Sequence, residues 1–266
     1  MSHWEAIVLG LIQGLTEFLP VSSSGHLELG KALFGLHEVD LTFSILVHGA
    51  TACSTVVVFR NDIAQLITGA FASDPSRRNQ AHRYILWLAL STLPAVAVAF
   101  TLRDAIESTF LEHPHRVGWS LCLTAVILFA SERLSNRTHP LTSLRVVGIG
   151  LAQAFAIIPG VSRSGSTIGT AIALGISREE AARFSFLMAL PVIFGATLLE
   201  VKDVYEAGWA IQGQVSPTAY ALGTLAAFIS GWAACQWMIR LVRRTNLNVF
   251  AVYCLIAGLL AATLIS

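Results

Sequence analysis

Charged side chains are scarce in this chain of 266 residues. Asp, Glu, Lys and Arg make up 12% of the sequence, and hydrophobic residues make up 55%. That charge content is about half of what an ordinary soluble domain carries. A soluble protein needs a polar surface around its core, and 17 basic and 16 acidic residues are too few to form one. The scarcity excludes a disordered chain and a coiled coil. It favours a membrane protein with several spans over an unusually apolar soluble bundle.

Three other features are missing, and each absence removes a class of protein. The net charge is only +1, so the chain lacks the basic surface of a nucleic-acid-binding protein and we expect no nucleic acid partner. The cysteines Cys53, Cys122, Cys235 and Cys254 lie in separate apolar stretches, which indicates neither a disulfide framework nor a zinc site. The first residues, MSHWE, lack the positive charge of a signal peptide, so we expect no cleavable one.

Apolar runs without any charged residue define the expected membrane spans. Polar and apolar residues do not alternate within these runs, so we predict helices. The six runs cover residues 41–59, 84–102, 117–131, 184–199, 217–239 and 247–265.

Two further apolar regions, residues 6–33 and 146–176, are interrupted by Gly, Ser, Pro and ionisable residues. Each half of such a region is too short to cross about 30 Å of hydrocarbon at about 1.5 Å per residue. Broken backbone at membrane depth persists only where protein or a water-filled cavity surrounds it. We therefore predict two re-entrant helical hairpins, which enter and leave the membrane on the same side.

The two hairpins are also copies of each other. The run Gly-Leu-Ile-Gln ending at Gln13 matches Gly-Leu-Ala-Gln ending at Gln153. Val-Ser-Ser-Ser-Gly beginning at Val21 matches Val-Ser-Arg-Ser-Gly beginning at Val161, so both blocks share an offset of 140 residues. We predict one membrane domain, residues 1–266, made of an inverted-topology repeat with halves at about 1–132 and 143–266.

Lys and Arg predict the orientation of the spans. If the spans alternate, one face receives ten of these residues and the opposite face receives four. The first face carries Arg60, Arg77, Arg78, Arg83, Arg133, Arg137, Arg145, Arg240, Arg243 and Arg244, and the second carries Lys31, Arg103, Arg116 and Lys202. We expect the first face to be cytoplasmic, so that the first hairpin enters from outside and the second from inside.

Ionisable residues are costly inside a membrane, and those in the hairpins are candidates for chemistry. Gln13 and Glu17 share one helix face, and three serines and His26 follow the break at Pro20. In the second hairpin Arg163 lies among hydroxyl residues at the start of a helix, an arrangement that favours a phosphate. Carboxylate, hydroxyl, imidazole and guanidinium groups together suit phosphoryl transfer. Glu17 and Gln13 offer oxygen ligands for Mg²⁺ or Ca²⁺.

These residues resemble a known family. The run from Gln13 to His26, QGLTEFLPVSSSGH, resembles the Glu/Gln-x-x-x-Glu and Pro-Val-Ser-Ser-x-Gly-His signature of bacterial undecaprenyl-diphosphatases (BacA/UppP, the bacitracin resistance proteins). The run from Pro159 to Thr167, PGVSRSGST, resembles the family's second signature. The resemblance implies an inner-membrane enzyme that removes one phosphate from undecaprenyl diphosphate at a site facing the periplasm. This reaction recycles the lipid carrier of cell-wall synthesis.

The resemblance also implies roles for single residues. Glu17 would be the essential acid near the metal and the diphosphate, Ser23 the nucleophile, and His26 its proton partner. Arg163 would grip the diphosphate. The expected substrate-binding set is Ser22, Ser24, Gly160, Ser162, Ser164 and Thr167. A Gln at position 13, where the family also has Glu, weakens the expectation that charge at this position holds the metal.

Several alternatives stay open at this stage. The reaction can run through a phosphoserine at Ser23 or by direct attack of water. An inverted repeat with broken helices is also typical of transporters, so a lipid-carrier flippase is the main rival. The Ser24-Gly25-His26 run resembles type-2 phosphatidic acid phosphatases, but no His or Asp closely follows Arg163 as that class requires. His48 either lines the site or bonds another helix. The oligomeric state, a homodimer included, is undetermined, and membrane lipids are expected partners.

Overall fold

The protein is helical throughout the part of the chain that the structure describes. This computed structural model describes residues 1–36, 41–111, 115–134, 138–206, 215–244 and 246–264, and these ranges contain no β-strand. The helices are α1 (His3–Phe18), α2 (Ser23–Leu33), α3 (Leu41–Val58), α4 (Arg60–Ala70), α5 (Pro75–Leu111), α6 (His115–Leu134), α7 (Ser143–Phe155), α8 (Arg163–Ala173), α9 (Arg178–Glu206), α10 (Pro217–Arg244) and α11 (Asn248–Leu264). All four cysteines are free.

Five helices are long and apolar enough to cross a membrane: α3, α5, α6, α9 and α10. Four of them contain a whole predicted charge-free run and α3 contains all but the last residue of its run, which confirms a multi-pass membrane protein. The sixth predicted run, residues 247–265, coincides with α11, which is apolar but has only 17 residues. At about 1.5 Å per residue it is about 25 Å long, slightly less than the hydrocarbon thickness.

The two predicted hairpins are pairs of short helices, α1 with α2 and α7 with α8, and the described chain breaks between the partners at Pro20 and at Pro159-Gly160. The second helix of each pair begins in the same way. The Ser22 hydroxyl accepts a hydrogen bond from the Gly25 amide, and the Ser162 hydroxyl accepts one from the Gly165 amide. A serine at this position satisfies an amide that the helix leaves unpaired. The matching serines thus explain why both helices start at equivalent residues.

The first helix of each hairpin packs on a helix from the opposite half of the chain. The helix α1 lies against α10, and α7 lies against α5. Both contacts are backbone to backbone, since a methyl group on Gly10 would lie 2.2 Å from the Gly223 carbonyl oxygen and one on Gly150 would lie 2.6 Å from that of Ser91. Glycine is required at both crossings because no side chain fits there.

Helices α6 and α11 cross at a third glycine contact. A methyl on Gly118 would lie 2.7 Å from the Gly258 carbonyl oxygen, and one on Gly258 would lie 2.7 Å from that of Gly118. The contact is reciprocal, and the two residue numbers again differ by 140. Around these crossings, the larger buried cluster joins α8 and α9 to parts of α6, α10 and α11. This packing brings the breaks of both hairpins face to face.

Candidate active site

Three side chains from the two hairpin breaks meet at one point. Glu17 lies at the end of α1, Ser23 is the first residue of α2, and Arg163 is the first residue of α8. The Ser23 hydroxyl donates to Glu17 Oε2 at 2.7 Å, and Arg163 Nη2 donates to Glu17 Oε1 at 2.6 Å. The predicted acid, nucleophile and phosphate-binding residue are therefore one connected group around a single carboxylate.

The Glu17 side chain is 9% exposed, and the Arg163 side chain beside it is 18% exposed. A buried charge is costly unless an opposite charge and hydrogen bonds compensate it. Arg163 supplies the opposite charge, and Ser23 and Gln13 supply further hydrogen bonds. The pairing keeps Glu17 ionised in an apolar surrounding, so that it can accept a proton.

The nitrogen and the oxygen of the Gln13 side-chain amide have different surroundings. Its Nε2 atom donates to Glu17 Oε2 at 3.2 Å, while its Oε1 atom is buried and has no partner among the described residues. An unsatisfied oxygen beside a carboxylate is a donor set suited to Mg²⁺ or Ca²⁺. The described residues contain no group of three or more His, Cys, Asp or Glu that would hold a metal alone. The residues therefore fit a divalent cation that takes its remaining ligands from water or a phosphate.

The two hairpin tips are joined by reciprocal hydrogen bonds. The Gly160 amide donates to Ser24 Oγ at 3.3 Å, and Ser164 Oγ donates to the Leu19 carbonyl at 2.9 Å. Gly160 has a φ of +88°, and a methyl on it would lie 2.5 Å from the Val117 carbonyl oxygen. Ser24, Gly160 and Ser164 thus fix one tip against the other. Their predicted contact with substrate stays a prediction.

The hydroxyls of Ser162 and Thr167 at the start of α8 are also engaged within the protein. Ser162 Oγ caps the helix and lies 3.3 Å from Ser164 Oγ. Thr167 Oγ1 lies 2.6 Å from Ser185 Oγ and donates to the Arg163 carbonyl. Two buried polar atoms here have no partner among the described residues, the Ser166 Oγ atom and the positively charged Arg163 Nη1 group. Together with the positive end of the α8 dipole, this group suits a phosphate.

His26 lies at the same break but its side chain makes no hydrogen bond with Ser23. Its Nδ1 atom is 2.8 Å from the Ser22 carbonyl oxygen, and its Nε2 atom is 2.7 Å from the Tyr253 hydroxyl. Among the non-glycine residues that the structure describes, only Ser22 has a positive φ, of +71°. In this conformation its carbonyl faces the imidazole of His26. In this arrangement the acceptor for the Ser23 proton is Glu17. The role of His26 as proton partner stays a prediction.

Three residues near the site were not predicted from sequence or were left open. Thr124 Oγ1 accepts from the Ser162 amide at 3.0 Å and donates to the Gly160 carbonyl, which fastens the second tip to α6. Tyr253 contacts His26 from α11. His48 is within electrostatic range of Glu17, and its Nδ1 atom bonds the Ser44 carbonyl on its own helix. Each lies in an apolar run with no local motif, so the sequence alone offers no signal to pair it with the hairpins.

Comparison with known proteins finds one matching family model and similar proteins from several bacteria. A family model described as "Bacitracin resistance protein BacA" matches residues 6–260. A protein named undecaprenyl-diphosphatase from Christiangramia forsetii is 42% identical over 264 residues, which are 98% of this chain and 97% of that protein. Proteins of the same name from Bacteroides thetaiotaomicron and Alcanivorax borkumensis are 44% and 41% identical, each covering 97% of both chains.

Proposed function

The chain belongs to the bacitracin resistance protein BacA family, and from this we propose that it is an undecaprenyl-diphosphatase. It hydrolyses undecaprenyl diphosphate to undecaprenyl phosphate and phosphate. The observation that carries the proposal is the contact of Glu17 with both Ser23 and Arg163. This contact combines a nucleophile, a proton acceptor and a cation, which are the groups that attack on a phosphoanhydride requires.

In the proposed first step Ser23 Oγ attacks the terminal phosphorus. Its proton passes to Glu17 Oε2, which already accepts that hydrogen at 2.7 Å. The bond from the terminal phosphorus to the bridging oxygen breaks, and undecaprenyl phosphate leaves. In the second step water attacks the phosphoserine and gives a proton to His26, which releases it to solvent. Glu17 returns its proton to Ser23 Oγ as the phosphate departs.

Arg163 stabilises the charge on the transferred phosphoryl group. Its Nη2 atom stays with Glu17, and its unpartnered Nη1 atom donates to an equatorial phosphate oxygen. One guanidinium thus orients the carboxylate and binds the substrate. A divalent cation held by the Glu17 carboxylate and the Gln13 amide oxygen would neutralise further charge on the diphosphate.

The proposed setting is the bacterial cytoplasmic membrane, with the site open to the periplasm. The excess of Lys and Arg on one face supports this orientation. Six spans and two re-entrant hairpins in an inverted repeat are the proposed topology. The packing of α1 on α10 and of α7 on α5 supports it, as does the reciprocal contact of Gly118 with Gly258.

The proposal is tested by phosphate release from undecaprenyl diphosphate by the purified full-length protein. We expect Ser23→Ala and Glu17→Ala each to lower kcat about 10³-fold or more, because each removes a group that acts in the transition state. Ser108→Ala is the matched control, since this exposed hydroxyl bonds only its own helix. A chelator should lower the rate, and added Mg²⁺ or Ca²⁺ should restore it.

Two outcomes would contradict parts of the proposal. If rapid quenching with labelled substrate yields no phosphorylated Ser23 peptide, water attacks directly and the serine is not the nucleophile. If the protein releases no phosphate but moves the lipid across vesicle membranes, it is a flippase rather than a hydrolase.

A further inference from the structure

The helix that carries His26 is loosely packed against the rest of the protein. Of the 11 residues of α2, only Gly25 and Gly30 are buried, and neither has a side chain. Its counterpart α8 has the same length and buries eight residues. Dense packing restricts side chains to one rotamer, and α2 provides little of it. The orientation of the His26 imidazole must therefore come from specific contacts.

Those contacts hold both ring nitrogens and one ring face. The Ser22 carbonyl can only accept, so the His26 Nδ1 atom 2.8 Å away carries the hydrogen. In the neutral ring Nε2 is then the acceptor, and the Tyr253 hydroxyl donates to it at 2.7 Å. The two rings also stack, with their centres 5.5 Å apart and their planes inclined by 12°.

Tyr253 is itself held against the first hairpin. The next residue, Cys254, is fully buried, and its Sγ atom lies 3.6 Å from the Pro20 carbonyl oxygen. The start of α11 thus touches the hairpin at its break and at His26. These contacts join residues more than 220 positions apart in the chain.

We propose that Tyr253 holds the Nε2 side of His26, the Nδ1-protonated tautomer fixed by Ser22, and passes the proton on: its hydroxyl gives its own proton to Nε2 while it takes one from the attacking water. Its hydroxyl keeps the Nε2 lone pair oriented, and its ring limits rotation of the imidazole. The proposal rests on the proposed function, in which His26 accepts a proton from water, and it adds a residue outside both hairpin motifs.

The kinetic test compares Tyr253→Phe with His26→Gln and with the double variant in the full-length protein, with undecaprenyl diphosphate as substrate. Tyr253→Phe keeps the stacking and removes the hydroxyl. We expect kcat to fall about tenfold, a part of what general acid–base catalysis contributes, while KM changes less than about twofold because the diphosphate is bound elsewhere. In the His26→Gln background Tyr253→Phe should have no further effect on kcat, since Tyr253 acts only through the imidazole.

Tyr205→Phe is the matched control, because Tyr205 is an exposed tyrosine on α9, and it should match the unmodified protein. An unchanged kcat in Tyr253→Phe would overturn the proposal. So would an equal loss of kcat in both His26 backgrounds, since Tyr253 would then act independently. The melting temperature of each variant identifies a loss that comes from unfolding.

A second measurement separates this inference from the proposed function. Nitrogen NMR of histidine-labelled protein, with the His26 signal assigned by comparison with His26→Gln, reports the tautomer without any substrate. We expect the Nδ1-protonated form in both proteins, because the Ser22 carbonyl bonds Nδ1 in both, and a shifted Nε2 signal in Tyr253→Phe, which has lost the hydroxyl that donates to Nε2. This result would uphold the contact of Tyr253 with Nε2 even if no phosphate were released, and an unchanged Nε2 signal in Tyr253→Phe would contradict it.

Discussion

A single carboxylate organises the residues of the candidate site. Glu17 is bonded to Gln13, Ser23 and Arg163, and each bond serves a different purpose. Arg163 compensates the buried charge, Ser23 presents a proton, and Gln13 leaves an oxygen free beside the carboxylate. A buried ionic group of this kind is costly to maintain, which in a membrane protein indicates function.

At the residue scale we expect Arg163→Lys to lower kcat/KM about tenfold to a hundredfold. A guanidinium can bond Glu17 with one nitrogen and a phosphate with another, whereas an ammonium on a flexible stem holds both less well. The measurement is steady-state phosphate release. Arg240→Lys serves as the control, because Arg240 is exposed and bonds only Gln236 on its own helix. Equal activity of the two variants would remove Arg163 from the site.

The helices depend on close backbone contacts where the two halves of the chain cross. Gly10 meets Gly223, Gly150 meets Ser91, and Gly118 meets Gly258. Small residues at such crossings let membrane helices approach closely, and dispersion contacts then stabilise the pair. The helices α1 and α7 have only 16 and 13 residues, and the first two crossings fix them against α10 and α5.

At the element scale we expect Gly10→Ala to destabilise the protein by about 1–3 kcal/mol, the usual cost of overpacking a tight contact. The added methyl would lie 2.2 Å from the Gly223 carbonyl oxygen, which forces the helices α1 and α10 apart. Gly195→Ala is the control, because a methyl there meets nothing within 4 Å. It should be neutral or stabilise by up to about 1 kcal/mol through helix propensity.

Thermal unfolding in detergent measures both glycine variants under the same conditions. If Gly10→Ala melts at the temperature of Gly195→Ala, the crossing of α1 and α10 is looser than the structure shows. Activity should fall with stability in Gly10→Ala, since a displaced α1 also moves Glu17 away from Arg163.

Across the whole molecule, ion pairs collect at the end that carries most of the arginines. Arg178 at the start of α9 pairs with Glu132 of α6, and Arg183 pairs with Asp62 of α4. Glu132 is only 6% exposed, and its Oε1 atom also accepts from the Leu247 amide at 2.9 Å, one residue before α11 begins. The Glu132 carboxylate thus joins three helices that are distant in sequence.

At the scale of the molecule we expect Glu132→Gln to destabilise the protein by about 3–5 kcal/mol, because a neutral amide replaces the carboxylate that Arg178 bonds in a partly buried place. Unfolding measured by the melting temperature, or by titration with a denaturing detergent, would detect the loss. Glu206→Gln is the control, since its pair with Lys202 is exposed and contributes little. A Glu132→Gln protein as stable as this control would contradict the role assigned to the ion pair.

The site could be predicted from the sequence in part. Glu17, Ser23, His26 and Arg163 follow from rare polar residues at the breaks of a repeated hairpin, and the structure brings Glu17, Ser23 and Arg163 together. The partner of His26 could not be predicted, because Tyr253 lies 227 positions away in an apolar run with no motif. The hydroxyls of Ser24, Ser164 and Thr167 stay predicted substrate contacts, and the sequence did not predict that they also bond the hairpins and α9.

The sequence by itself determined that the protein is a multi-pass membrane protein with two broken helices, because charge content and the positions of Gly, Ser and Pro are local properties of the chain. It also determined which polar residues lie at the two breaks. The tertiary structure decided which of them meet, that α1 packs on α10 and α7 on α5, and that Ser23 donates to Glu17 while His26 faces Tyr253. Contacts between distant segments depend on how helices pack at their small residues, and no local pattern specifies that packing.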